Sequence, residues 1–154
     1  IQLIDKALSL LDKKNSDHAK KYSTILTTKA YVLLQQKDFE SSKKVLNEAL
    51  DAIKKLEGET SLNYITCLTN LGICCLENQD NNTAILHMET AYKLLSKKNL
   101  ESLETFTAVF NLGRAFQLSG NKKKALSCFE KAYHGFNKIL GSDHPTTRKA
   151  RLEL

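Results

Sequence analysis

Laid over itself with a shift of 41 or 42 residues, the 154-residue chain matches itself twice. A fixed period of that length is the signature of a stacked-repeat architecture. Thr24-Ile25-Leu26-Thr27-Thr28-Lys29-Ala30 aligns with Thr66-Cys67-Leu68-Thr69-Asn70-Leu71-Gly72 and with Thr107-Ala108-Val109-Phe110-Asn111-Leu112-Gly113, and Leu33, Cys75 or Phe116 follows three residues later. A polar break comes next: Gln36-Lys37-Asp38, Asn78-Gln79-Asp80 or Ser119-Gly120-Asn121. Each break leads into a second apolar stretch that carries Leu46, Met88 or Phe129 and, three residues on, Ala49, Ala91 or Ala132. A single Pro in the whole chain leaves helix almost uninterrupted. The repeating unit therefore reads as a helix, a tight turn and a second helix.

Small residues recur where the paired helices must approach. Ala30, Gly72 and Gly113 on the first helices stand opposite Ser42, Ala84 and Ala125 on the second. Gly inside a helix costs about 1 kcal/mol against Ala, so its use at one place in two repeats points to close packing. Leu46, Met88, Phe116 and Phe129 fill the adjoining space. No helix pair shelters a core alone, so stability depends on stacking against neighbours.

These residues resemble the tetratricopeptide repeat. Leu112-Gly113, Phe116, Ala125, Phe129 and Ala132 carry its pattern best; Leu71-Gly72, Cys75, Ala84, Met88 and Ala91 carry it with softer residues; Ala30, Leu33, Ser42, Leu46 and Ala49 follow more loosely. The long period, the Asn before Leu-Gly and the run Leu140-Gly141-Ser142-Asp143-His144-Pro145 are similar to the kinesin-light-chain-like members. The resemblance implies an all-α, right-handed superhelix of antiparallel helix hairpins with helices of roughly 18 residues, about 27 Å each. Residues 1–13 are expected to be the second helix of a preceding repeat, 18–57, 60–98 and 101–140 three full repeats, and 143–154 the first helix of a following one. Apolar residues at both ends (Ile1, Leu3, Ile4; Leu152, Leu154) lead us to expect flanking repeats in the same parent chain. Asp143 is the expected cap of the last helix, with His144 part of that cap and Pro145 in the first turn.

The same resemblance implies that first helices line a concave groove. The residues recurring on that face are Thr24, Thr27, Thr28 and Tyr31, then Thr66, Thr69, Asn70 and Ile73, then Thr107, Phe110, Asn111 and Arg114. An Asn amide both donates and accepts, so it can hold the main chain of an extended peptide whatever its sequence. In kinesin-light-chain-like repeats the Asn at this place contacts bound peptide, and Asn70 and Asn111 match it, while the first repeat has Thr28. Tyr31 and Phe110 are expected to give apolar contact and Arg114 to pair with an acidic side chain. The competing reading is that the asparagines brace neighbouring helices. The carboxylate clamp of co-chaperone members needs Lys and Arg where this chain has Thr27, Tyr31, Thr107 and Asn111; only Asn70 agrees, which argues against a chaperone-tail ligand.

Other chemistries find little support. Cys67, Cys74, Cys75 and Cys128 lie in apolar helical text, lack any CxxC knuckle and read as buried, reduced thiols of a cytoplasmic protein, with neither metal nor cofactor implied. No glycine-rich phosphate loop, nucleophile elbow or His/carboxylate constellation is present, and His18, His87 and His134 are scattered, so an enzyme is not expected. No apolar run is long enough to span a membrane. The net charge of +6 divides as +3 over residues 1–58, −1 over 59–100 and +4 over 101–154. Lys122-Lys123-Lys124 and Arg148, Lys149, Arg151 lie at a turn and an edge, whereas a nucleic-acid surface wants cations tracking a groove with stacking aromatics. Lys13-Lys14 and Lys97-Lys98 complement the ends of second helices. The expected function is a protein-interaction scaffold holding a peptide, possessing the character of a cargo or assembly adaptor. The alternatives are a structural subunit with a permanently filled groove, or a basic surface for RNA or an acidic partner.

Overall fold

The computed structural model describes residues 1–11, 16–98 and 101–154, with the side chains of 16–19 excepted. The expectations for Lys13, Lys14 and the His18 side chain lie outside these described residues. Among them the elements are α1 (Gln2–Ser9), α2 (Ser16–Gln35), α3 (Phe39–Glu57), α4 (Leu62–Glu77), α5 (Asn81–Lys97), α6 (Leu103–Leu118), α7 (Lys122–Leu140) and α8 (Pro145–Arg151). The fold is all-α, and among the described residues no helix is long and apolar enough to cross a membrane. Residues 1–78, holding α1 to α4, and 79–154, holding α5 to α8, form two compact units.

Local chemistry explains where the helices start and stop. The Asp38 side chain accepts the Ser41 N–H, Asp80 that of Thr83, and Asn121 that of Lys124, which satisfies donors that the first turn leaves orphaned. Just before each cap the backbone is left-handed, at Lys37 (φ 61°), Gln79 (φ 63°) and Gly120 (φ 80°). Glycine alone adopts that conformation freely, so the polar breaks share a geometry that only one of them meets with its preferred residue. Ser61 and Ser102 cap α4 and α6 by accepting from Tyr64 and Thr105. The Asn121 cap yields a simple expectation: Asn121→Ala lowers stability by about 1 kcal/mol in a denaturant titration followed by helical circular dichroism.

The cap of α8 differs from expectation. His144, not Asp143, is the N-cap: its Nδ1 accepts the Thr146 N–H at 3.2 Å, while Pro145 occupies the first helical turn. Because Pro145 has no N–H to offer, the first useful donor is Thr146, which the residue directly before the proline reaches.

In the first unit Leu26, Ala30, Leu46, Ala49, Ile53, Cys67, Leu71 and Cys74 make a continuous core, with Leu8, Tyr22, Phe39 and Tyr64 packed against it. The close approach read from small residues is explicit here: Ser42 Oγ donates to the Ala30 carbonyl at 2.9 Å, and both residues are fully buried. A side chain that can serve a neighbouring helix's carbonyl replaces mere smallness. Asp5 and Lys29 join α1 to α2 through a 2.6 Å ion pair.

The second unit repeats the plan 83 residues later, so that Gly58 corresponds to Gly141 and Leu46 to Phe129. Its core is aromatic. Phe106 meets Phe136 edge-on with centroids 6.3 Å apart, and Phe110 lies 5.4 Å from Phe129 and 6.4 Å from Phe136. Gly113 admits Phe129, since a Cβ there would stand 2.7 Å from the ring. Gly135, which the repeat pattern does not single out, admits Phe106, whose ring atoms would stand 2.2 to 2.3 Å from a Cβ.

Candidate functional site

Five hydroxyl-bearing residues, Ser23, Thr24, Thr27, Thr28 and Thr66, share with Ile53 and Asn63 a hollow of about 140 Å³ in the first unit. The first four stand on α2, Asn63 and Thr66 on α4, and Ile53 on α3. Thr24 and Thr28 are exposed on successive turns of α2, and Thr66 is exposed on α4. The hydrogen bonds set the chemistry. Ser23 Oγ and Thr24 Oγ1 donate to the Lys20 carbonyl, Thr27 Oγ1 to that of Ser23, and Thr28 Oγ1 to that of Thr24, at 2.9 to 3.1 Å. Each hydroxyl has thereby given its only proton to its own helix and keeps lone pairs for an outside donor. Asn63 Nδ2 donates to both carboxylate oxygens of Glu57, at 2.9 and 3.1 Å.

Of the residues expected on this face, Thr24, Thr27, Thr28 and Thr66 come together here, whereas Tyr31, Asn70 and Ile73 do not line the hollow. Tyr31 is 58% exposed; Asn70 and Ile73 are half-buried. Sequence reasoning missed Ser23, Asn63 and Ile53. Ser23 and Asn63 precede Thr27 and Thr66 by one helical turn, so the helical period could have found them.

The second unit treats the same place differently. The positions 83 residues on from Ser23, Thr24, Thr27, Thr28, Ile53 and Thr66 are Phe106, Thr107, Phe110, Asn111, Phe136 and Lys149. Three phenyl rings pack where the first unit has Ser23, Thr27 and Ile53, and Lys149 Nζ lies 5.5 Å from the Phe110 centroid. The expectation that Phe110 offers free apolar contact is therefore corrected. It is 7% exposed, because its ring is spent on Phe129 and Phe136 and covered by a lysine. Thr107 remains exposed, Arg114 is half-buried and already engaged by a neighbouring group, and Asn111 is 8% exposed. Neither Asn70 nor Asn111 makes a side-chain hydrogen bond with another described residue.

The thiols belong to the packing. Cys67 Sγ donates to the Leu46 carbonyl at 3.3 Å and Cys74 Sγ to that of Phe39 at 3.1 Å. Burial pushes the Cys67 thiol up to about 12 and raises Cys74 and Cys128 as well, which keeps them protonated and unreactive near neutrality. None of the four cysteines is in a disulfide. Among the described residues no three His, Cys, Asp or Glu side chains come together as metal donors.

Paired helices with shared turn geometry define a helical-hairpin repeat. Tetratricopeptide repeat models match residues 21–97 and 111–146, and the chain belongs to that family of protein-interaction scaffolds. No curated protein matches it. Among solved structures it is similar to BtubC (BKLC) from P. vanneervenii, with 26% identity and a TM-score of 0.71 over 81% of this chain. It spans 50% of the length of that protein. A putative kinesin light chain with nearly identical TPR-like repeats from Podosopora anserina shares the fold at a TM-score of 0.77 and 16% identity, over 99% of this chain and 71% of that one. The N-terminal domain of stress-induced protein-1 from C. elegans shares it at 0.63 and 17%, over 88% and 96%.

Proposed function

We propose that the chain is a non-catalytic interaction module that holds an extended peptide on its first-helix faces, with one group of that peptide seated in the hydroxyl-lined hollow of residues 1–78. The observation that carries this reading is the unlike filling of one place in two copies of the same plan. Phenyl rings occupy it in the second unit, and about 140 Å³ stands open in the first. A scaffold with only structural duties would gain from closing that space, since buried aromatic area stabilises.

The lining also states what suits it. Hydroxyl oxygens whose protons are committed to helix carbonyls favour a donor, such as a peptide N–H or a small donor-bearing side chain, over Ile53 as an apolar floor. Further along α4, the Asn70 amide has no intramolecular partner among the described residues, so it is available to donate to a peptide carbonyl and accept from an N–H. Asn111 has the same capacity on α6, with less of it exposed. Adaptor work in cargo handling or complex assembly fits such sequence-tolerant grip, and four cysteines without a disulfide favour a reducing, cytoplasmic setting.

Thr27→Phe tests the hollow by giving the first unit the residue that fills the second. For peptides selected from a random display library on the unaltered chain, we expect this variant to keep its helix content and lose roughly tenfold or more in affinity, about 1.4 kcal/mol. Selected peptides that bind Thr27→Phe as tightly as the parent chain contradict the assignment.

A further inference from the structure

A separate shallow, open hollow in the second unit, on the side of α6 that carries Leu112 and Phe116, is lined by Glu89, Tyr92, Lys93, Lys124, Ser127 and Cys128 as well and spans about 420 Å³. Its floor is apolar: Leu112 and Phe116 are 4% and 6% exposed, and Cys128 is half-buried. Its rim is cationic. Lys124 Nζ stands 5.0 Å from the Phe116 centroid, and Lys131 Nζ stands 4.9 Å from that of Tyr92 while donating to the Tyr92 hydroxyl. Lys124 is thus held by the Phe116 ring and Lys131, just outside the lining, by the Tyr92 hydroxyl, which removes part of the side-chain freedom that a lysine otherwise loses on binding. Lys93 adds a third charge, Glu89 is the one acidic group in the lining, and none of the three lysines has a carboxylate within ion-pair distance among the described residues. Burial raises the Tyr92 phenol, yet the hydrogen bonds from Lys131 and Ser96 and the Lys131 charge outweigh that and bring it below its ordinary value.

We propose that this hollow between α5, α6 and α7 is a second docking site, which takes a protein segment carrying acidic residues directly beside a large apolar side chain. The apolar side chain covers Leu112, Phe116 and Cys128, and the carboxylates meet Lys124 and Lys131. The site is independent of the first-helix faces, because Leu112 and Phe116 stand on a different side of α6 from Asn111 and Arg114. A nucleic acid suits it less well. Base stacking needs free aromatic faces, and Phe116 is 6% exposed with Lys124 already against its ring. The floor offers hydrocarbon and a thiol where a base would look for polar partners.

The test is a titration of the whole ¹⁵N-labelled chain with three probes: a short peptide with a Glu-Phe-Glu centre, the same peptide with Gln-Phe-Gln, and a mixed-sequence single-stranded RNA. The acidic peptide is expected to shift the amides of Tyr92, Phe116, Ser127 and Cys128. Its affinity is expected to fall roughly tenfold when both carboxylates become amides, and again in the Lys124→Ser/Lys131→Ser variant, whose exposed substitutions leave the helical spectrum intact. Four results overturn the proposal: no shift at those amides up to millimolar acidic peptide, equal binding of the Gln peptide, undiminished binding by the double variant, or preference of the same amides for RNA.

Discussion

Phe129→Ala is expected to lower the stability of residues 79–154 by about 3–5 kcal/mol, near the upper end for a single core truncation. The ring is 1% exposed, lies 5.4 Å from Phe110 and presses on the bare backbone of Gly113, where even a methyl group would come within 2.7 Å. Removing it opens a void walled partly by a residue with no side chain to move, so relaxation is limited and the cavity term stays large. Phe129→Met should cost only about 1 kcal/mol, because the middle repeat places Met88, itself fully buried, at the matching position. Thermal melts followed at 222 nm provide the measurement, with a downward shift of roughly 10 °C or more for the alanine variant. A loss below about 1 kcal/mol would mean that the aromatic core is not what holds this unit together.

The second large effect has an unusual sign. Gly135→Ala adds a good helix former in place of a poor one, which alone favours the folded state by about 1 kcal/mol. Here the added methyl would stand 2.2 to 2.3 Å from three ring atoms of Phe106. That ring is 7% exposed and fixed edge-on against Phe136, so the helix or the ring must shift, at about 1–3 kcal/mol or more. Net destabilisation is therefore expected in chemical denaturation. The first unit holds Ser23 and Ala52 at the positions of Phe106 and Gly135. In a Phe106→Ser background the clash vanishes, and Gly135→Ala should become stabilising by about the helix-propensity gain. The same sign in both backgrounds contradicts the packing account.

These two residues also mark how far the sequence could be read. The period, the pairing of small residues and the polar breaks were legible because each repeats in register, and Ser42 with Ala30 shows the physical reason for one of them. Tetratricopeptide membership followed from the same residues. The hollow was legible only in part. Thr24, Thr27, Thr28 and Thr66 recur on one helical face, but whether that face is open depends on Ser23 against Phe106, Thr27 against Phe110 and Ile53 against Phe136. Such a choice lies in the size of residues outside the repeat signature, so periodicity alone is blind to it. Phe110 was misassigned for this reason: position on the helix face fixes direction, not what already packs against the ring. The Asp143 cap failed on a detail of one residue, since Pro145 moves the first available donor to Thr146. Lys124 drew attention as charge within Lys122-Lys123-Lys124, and only the Phe116 ring gives that charge a fixed place; Lys131 was missed altogether, because its place is set by the Tyr92 hydroxyl of another helix.

The central claim is that the first-helix asparagines hold the main chain of a bound peptide. A backbone N-methyl scan of a library-selected peptide, with dissociation constants measured for the parent chain and for Asn70→Ala and Asn111→Ala separately, addresses it directly. The account predicts at least one position where N-methylation weakens binding to the parent chain roughly tenfold and has little further effect on the matching Asn variant, the signature of one shared hydrogen bond. A peptide that tolerates methylation at every position, or loses equally from the parent chain and both variants, would contradict it.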